Sequence, residues 1–111
     1  MPRKRRLFIP DLPQHEVQRG VDRQSVFFSD SDCARYLNTF GEYAERRNVF
    51  WHAYCVITNH THLLVSAIEE GALSACMQEL SQKFVANTNR LHNRIGGLLE
   101  GRFYAGYLEP E

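Results

Sequence analysis

Apolar and polar positions change period several times along this chain, and each change marks an element. His15-Glu16-Val17-Gln18-Arg19 alternates with a strand period and stops at Gly20, which predicts a first strand after a stretch that Pro2, Pro10 and Pro13 keep irregular. Cys33, Tyr36, Leu37, Phe40, Tyr43 and Ala44 then recur at helical spacing behind the helix-starting run Ser29-Asp30-Ser31-Asp32. That pattern predicts an amphipathic helix from about Ser31 to Arg47. Val49 to Ile57 is rich in β-branched and aromatic residues, Thr58-Asn59 suits a turn, and His60 to Ser66 is extended again. An antiparallel hairpin follows. Beyond Gly71, the residues Leu73, Cys76, Met77, Leu80, Phe84, Val85, Thr88 and Leu91 line one face of a long second helix that stops near Asn93. Gly96-Gly97 breaks the chain, and Leu98 to Leu108 holds a last strand interrupted by Gly101 and Gly106.

The order β, α, β, β, α, β predicts an α+β fold, a ferredoxin-like split βαβ sandwich. Its antiparallel sheet carries both helices on one face and leaves the other face free for a ligand.

The chemistry on that sheet centres on Asn59-His60-Thr61-His62-Leu63-Leu64-Val65. Residues i and i+2 of a strand share a face, so His60 and His62 project side by side while Thr61, Leu63 and Val65 point to the other. Two adjacent imidazoles give a divalent metal two of its ligands. A histidine on a half-buried strand is more often a hydrogen-bonded structural residue, and the pair alone leaves the rest of any coordination sphere to other groups or water.

At 111 residues, with 43% hydrophobic and 23% charged residues, the chain suits one globular domain spanning 1–111. No run approaches the roughly 20 apolar residues of a membrane span, and the N-terminus lacks an apolar signal-type segment. A cytoplasmic protein is expected. Cys33, Cys55 and Cys76 lie far apart at apolar positions and suit small core residues better than disulfides, metal ligands or nucleophiles. Lys and Arg together number 13, as do Asp and Glu, yet Arg3, Lys4, Arg5 and Arg6 form a basic arm within residues 1–10 that suits a phosphate backbone. Phe50 and Trp51 fit the core better than a base-stacking platform, and Lys83, Arg90 and Arg94 fit a solvated helix face.

The ordered set Met1-Pro2-Arg3-Lys4, His15-Glu16-Val17-Gln18-Arg19-Gly20, Asp22-Arg23-Gln24, Phe27-Phe28, His52-Ala53-Tyr54, Asn59-His60-Thr61-His62-Leu63-Leu64 and Glu100-Gly101-Arg102-Phe103 resembles the IS200-like, single-tyrosine transposases of the HUH class, in particular their branch associated with repetitive extragenic palindromes (REP). The resemblance implies a transposase domain that binds single-stranded or hairpin DNA, then nicks and rejoins it. It gives His60 and His62 the metal-ligand role, with Mg²⁺ or Mn²⁺ as the ion. A tyrosine hydroxyl would attack the scissile phosphate and form a phosphotyrosine intermediate. Phosphate contacts need cations, which within the matching segments are Arg3, Lys4, Arg5, Arg6, Arg19, Arg23 and Arg102.

Members of that family continue past the Gly-Arg-Phe region into a helix with the nucleophilic tyrosine and often a third metal ligand, whereas this sequence stops at Glu111. The resemblance therefore implies a C-terminally incomplete domain whose catalytic residue is unknown. Tyr104 and Tyr107 follow where the family has its final strand, and Tyr36, Tyr43 and Tyr54 sit at core-like positions. The missing helix would uncover apolar surface and favour a homodimer or poor solubility. The alternative to a nicking enzyme is a catalytically inactive remnant that binds DNA hairpins without cutting. A hydrolase using the histidine pair and water has no nearby carboxylate to serve it.

Overall fold

The computed structural model describes residues 8–100 and 103–107. In chain order its elements are β1 (Gln14–Arg19), a helical turn at Val21–Arg23, α1 (Asp30–Arg47), β2 (Val49–Ile57), β3 (His60–Ala67), α2 (Ala72–Leu91) and β4 (Tyr104–Tyr107). The strands form one sheet in the order β2-β3-β1-β4, and every neighbouring pair is antiparallel. This is the split βαβ sandwich that the alternation of periods predicts.

Local chemistry sets the helix ends. Ser29 caps α1 by accepting from the Asp32 N–H, and Asn48 closes it in the left-handed region at φ 54°. Asp32 is itself buried at 2% exposure. Its carboxylate accepts from the Phe28 N–H at 2.8 Å, from Arg35 at 2.6 Å and from His92 at 2.9 Å, which ties the start of α1 to the end of α2. Burial alone would raise this carboxyl, but His92, the Phe28 amide and Arg35 outweigh it and hold its pKa below the usual range.

Both helices cover one face of the sheet. Tyr36, Phe40 and Ala44 of α1 and Cys76, Met77, Leu80 and Phe84 of α2 bury against Val49, Leu63, Val65 and Ala67. The rings of Tyr36, Phe27 and Phe84 meet edge to face at centroid separations of 5.3 Å and 5.2 Å around Tyr36. Burial pushes the Cys76 thiol up to about 12, in keeping with a core residue.

Strand β2 departs from the sequence expectation. It lies at the sheet edge, so Phe50 (45% exposed), Trp51 (40%) and Tyr54 (56%) stand largely in solvent instead of in the core. A register shift between Trp51 and Ala53 turns Trp51 and Tyr54 to the same side, where their rings stack at 5.7 Å and Phe40 meets Trp51 edge-on. Cys55 is exposed for the same reason, and Cys33 is only half-buried. An apolar run cannot reveal that its strand is an edge. Tyr43 is half-buried, whereas Tyr36 is fully inside. The last strand is short, with Leu99 joined to Gly20 by an isolated bridge before it. The basic residues Arg3, Lys4, Arg5, Arg6 and Arg102 lie outside the described residues.

Candidate metal and nucleic-acid site

Antiparallel register places the residues of the uncovered face in rows across the strands. One row runs Tyr104, Val17, His62, Cys55; its neighbours run Gly106, His15, Leu64, Ala53 on one side and Arg19, His60, Ile57 on the other. Three histidines, His15, His60 and His62, and one arginine thus share the centre of this face.

The end of the β2–β3 hairpin is tied down where the histidines begin. The Gly20 N–H donates to the Asn59 carbonyl at 3.0 Å, and Val26 and Phe27 donate to the Thr58 carbonyl. Gly20 must be glycine for this turn, because a Cβ there would sit 2.3 Å from the Gln24 carbonyl oxygen, a backbone atom that cannot swing away. Asn59 in turn orients its neighbour: His60 Nδ1 lies 2.7 Å from Asn59 Oδ1. An amide oxygen only accepts, so Nδ1 carries the proton and Nε2 keeps its lone pair. The rings of His60 and His62 are 4.8 Å apart and nearly perpendicular, and His62 Nδ1 lies 2.8 Å from His15 Nε2.

Beneath the pair, Thr61 points into the covered face. The Tyr36 hydroxyl donates to Gln18 Oε1 at 2.6 Å and lies 3.2 Å from the Thr61 hydroxyl, while Gln18 Nε2 donates to Ser81. This buried network joins β1, β3, α1 and α2 directly under the histidines, so their backbone is clamped from behind. Burial raises the Tyr36 hydroxyl pKa far above the ordinary range, which suits a structural hydrogen-bond donor and not a nucleophile. Burial also lowers the His62 pKa, and the positive charges that His60, His15 and Arg19 can carry push the same way. These effects favour the neutral form of His62, the form that binds a metal.

The donor set fits a divalent ion in part. Asn59 fixes the ring of His60 through Nδ1 and leaves Nε2 with its lone pair, the usual support for a metal-binding imidazole. Among the described residues no group of three or more His, Cys, Asp or Glu side chains is arranged to hold a metal, so oxygen ligands must come from elsewhere. Two imidazoles with oxygens suit Mn²⁺ better than Mg²⁺.

Of the expected phosphate-binding cations, Arg19 is exposed opposite His60, and Arg23 is exposed in the turn after β1 with φ 60°. Lys83 and Arg90 are exposed on α2, and Arg94 is engaged by Asn89, Gln24 and the Phe28 ring. One residue on the histidine face was not singled out as a site residue from the sequence: His15, whose ring meets that of Tyr104 edge-on at 6.3 Å. The alternation His15, Val17, Arg19 is the signal that puts His15 on a face, but only strand pairing shows that it is the face of His60 and His62.

No helix among the described residues is long and apolar enough to cross a membrane. No curated protein matches the chain. The fold is similar to the structure of a REP-associated tyrosine transposase bound to a REP hairpin, at 15% identity and a TM-score of 0.78, covering 100% of this chain and 64% of that one. A crystal structure of a protein from Deinococcus radiodurans assigned as a transposase is similar at 14% identity and a TM-score of 0.71, with 97% of this chain and 87% of that one covered. The family model described as "Transposase IS200 like" matches residues 9–107, so the chain belongs to the IS200-like transposase family.

Proposed function

We propose that this domain binds single-stranded DNA bearing a hairpin on its uncovered sheet face and holds Mn²⁺ or Mg²⁺ on His60 and His62 as the metal half of a nicking-and-joining site. The observation that carries the reading is the arrangement of the pair: two half-buried imidazoles on one strand face, one with its Nδ1 engaged by Asn59 so that Nε2 keeps its lone pair, and both beside the exposed Arg19. The REP hairpin bound by the similar transposase supports the choice of DNA. A bound ion would polarise a scissile phosphate and offset the charge that develops on it. Arg19 and Arg23, joined by Arg102 and the basic arm Arg3, Lys4, Arg5 and Arg6, would track the backbone phosphates.

Cleavage would transfer the phosphorus from the 3′ oxygen of the strand to a tyrosine oxygen, freeing a 3′ hydroxyl and leaving the 5′ end on the protein. Attack by a 3′ hydroxyl reverses this and rejoins the strand. The second reading, a domain that binds hairpins without cutting, is favoured by the setting of the tyrosines. Tyr36 is buried and Tyr54 lies on the helix side of the edge strand, whereas Tyr104, 60% exposed on the histidine face, is the tyrosine on which the two readings part.

Labelled hairpin DNA incubated with the chain and Mn²⁺ tests both. Metal-stimulated retention that is lost in the His60→Ala/His62→Ala double variant is expected; retention indifferent to both changes removes the metal from the reading. A denaturant-stable adduct establishes the nicking activity, and its loss in Tyr104→Phe would assign the nucleophile. Retention with no adduct leaves the binding function. The exposed Phe50 and Ile57 of the edge strand support self-association as a homodimer, for which light scattering is the check.

A further inference from the structure

We propose that His15 is a positioning residue that accepts the Nδ1–H of His62, and so keeps the His62 Nε2 lone pair free as Asn59 does for His60. The choice of donor rests on the metal reading proposed above, while the tautomer it assigns is a property of the metal-free chain and is read there.

The geometry is that of one directed hydrogen bond. His15 Nε2 and His62 Nδ1 are 2.8 Å apart, the ring centroids are 5.0 Å apart and the planes differ by 13°. That centroid separation is close to the largest that a 2.8 Å contact between ring nitrogens allows. The rings therefore meet edge to edge, with the proton on the line between them, and are not stacked face to face. One ring must donate and the other accept, and the choice fixes both tautomers.

If His15 donates, the remaining proton of neutral His62 sits on Nε2, and the ring offers no lone pair to anything on the uncovered face. If His62 donates, its Nε2 is free. The second arrangement matches that of His60, whose Nδ1 can only be the donor toward Asn59 Oδ1. Both imidazoles then present the same nitrogen, which is how metal-binding histidines are commonly supported.

The fold reserves this place for His15. Register sets His15 opposite Leu64, one pair along from the Val17–His62 pair, so its ring reaches diagonally to His62 across β1 and β3. Gly106 is its partner on β4 and contributes no side chain, while the edge of Tyr104 confines the ring at 6.3 Å. A longer side chain at position 106 would compete with the Tyr104 ring for the space beside His15.

Long-range proton–nitrogen spectra of the isotope-labelled, metal-free chain, recorded at alkaline pH where the imidazoles are neutral, read the tautomer directly. The expected result is protonated Nδ1 and bare Nε2 on His62. A protonated Nε2 on His62 in the wild type overturns the proposal. In His15→Leu the His62 signals should shift toward a mixture of tautomers, and calorimetric Mn²⁺ affinity should fall about 10–100-fold, the usual cost of losing such a support. In His15→Gln, whose Oε1 still accepts, both should be largely restored. An unchanged tautomer and affinity in folded His15→Leu also overturns it; if that variant does not fold, the wild-type spectrum and His15→Gln decide. Wild-type protein that shows the expected tautomer yet binds no Mn²⁺ supports the proposal and sinks the metal reading instead.

Discussion

Strand β3 serves two faces of the sheet that differ in almost every physical respect. Thr61, Leu63, Val65 and Ala67 point under the helices at no more than 1% exposure, whereas His60, His62 and Leu64 on the other side are half-buried. The covered face gains stability from apolar burial and a closed polar network. The open face carries imidazoles, an arginine and a tyrosine with little but each other to hold them. Rigidity on one side is what lets unsupported polar groups stand in fixed geometry on the other.

The largest break in that contrast comes from Leu63→Ala, which empties a fully buried position flanked by His62. A loss of about 2–5 kcal/mol is expected in urea unfolding. Asp32→Asn follows, at about 3 kcal/mol near neutral pH, because Arg35 and His92 lose the charge that they surround. The folded pKa of Asp32 is held below its ordinary 3.8, so its contribution is complete above that value and is lost as pH falls through the folded pKa. Wild-type stability should drop below about pH 4 through this group, while the Asp32→Asn variant should lack that part of the drop. A variant with an undiminished acid transition would show that other carboxylates dominate it.

Tyr36→Phe probes the polar half of the covered face. It leaves Gln18 Oε1 short of its 2.6 Å partner beneath the histidines, at an expected cost of about 1–3 kcal/mol. The sharper reading is functional: if the network clamps β3 from behind, Mn²⁺ affinity should weaken in a chain that is still folded. Equal affinity in the two proteins would mean that the backbone of β3 needs no such support.

How much of this was legible in the chain follows from what period alone encodes. The alternation around His60, Thr61, His62 and Leu63 assigns each to a face, and the helical spacing of Tyr36, Phe40 and Ala44 identifies their buried side; both are local, and both are borne out. The exposure of Phe50, Trp51 and Cys55 is not local, since it depends on β2 having no neighbour on one side among the described residues and on a bulge beside Trp51. The partnership of His15 with His62 joins residues 47 positions apart and exists only through the β1–β3 register. Face can be read from sequence spacing; the neighbour across a strand cannot.

On the open face the effects on stability should shrink while those on ligands grow. His60→Ala and His62→Ala are expected to lower unfolding free energy by about 1 kcal/mol each, the size of one hydrogen bond lost at a half-buried position. The same changes should abolish Mn²⁺ binding measured by calorimetry. A large stability loss in either would place the histidines with the structural face and erase the division between the two sides of β3.

Arg19 gives the smallest and most specific effect. It is exposed at the end of β1, opposite His60, so a backbone phosphate approaching the metal pair would pass it. Arg19→Ala should leave folding unchanged and weaken hairpin binding evenly across sequences, with the slope of log affinity against log salt reduced by about 1. Arg90→Ala is the control: its guanidinium is bonded to Asn87 on α2, across the sheet from the histidines, and its slope should match the wild type. Matching slopes in all three proteins would move the DNA path off this face. A reduced slope in Arg90→Ala alone would draw it across the helices, and the open sheet would then serve the metal without the strand it is meant to act on.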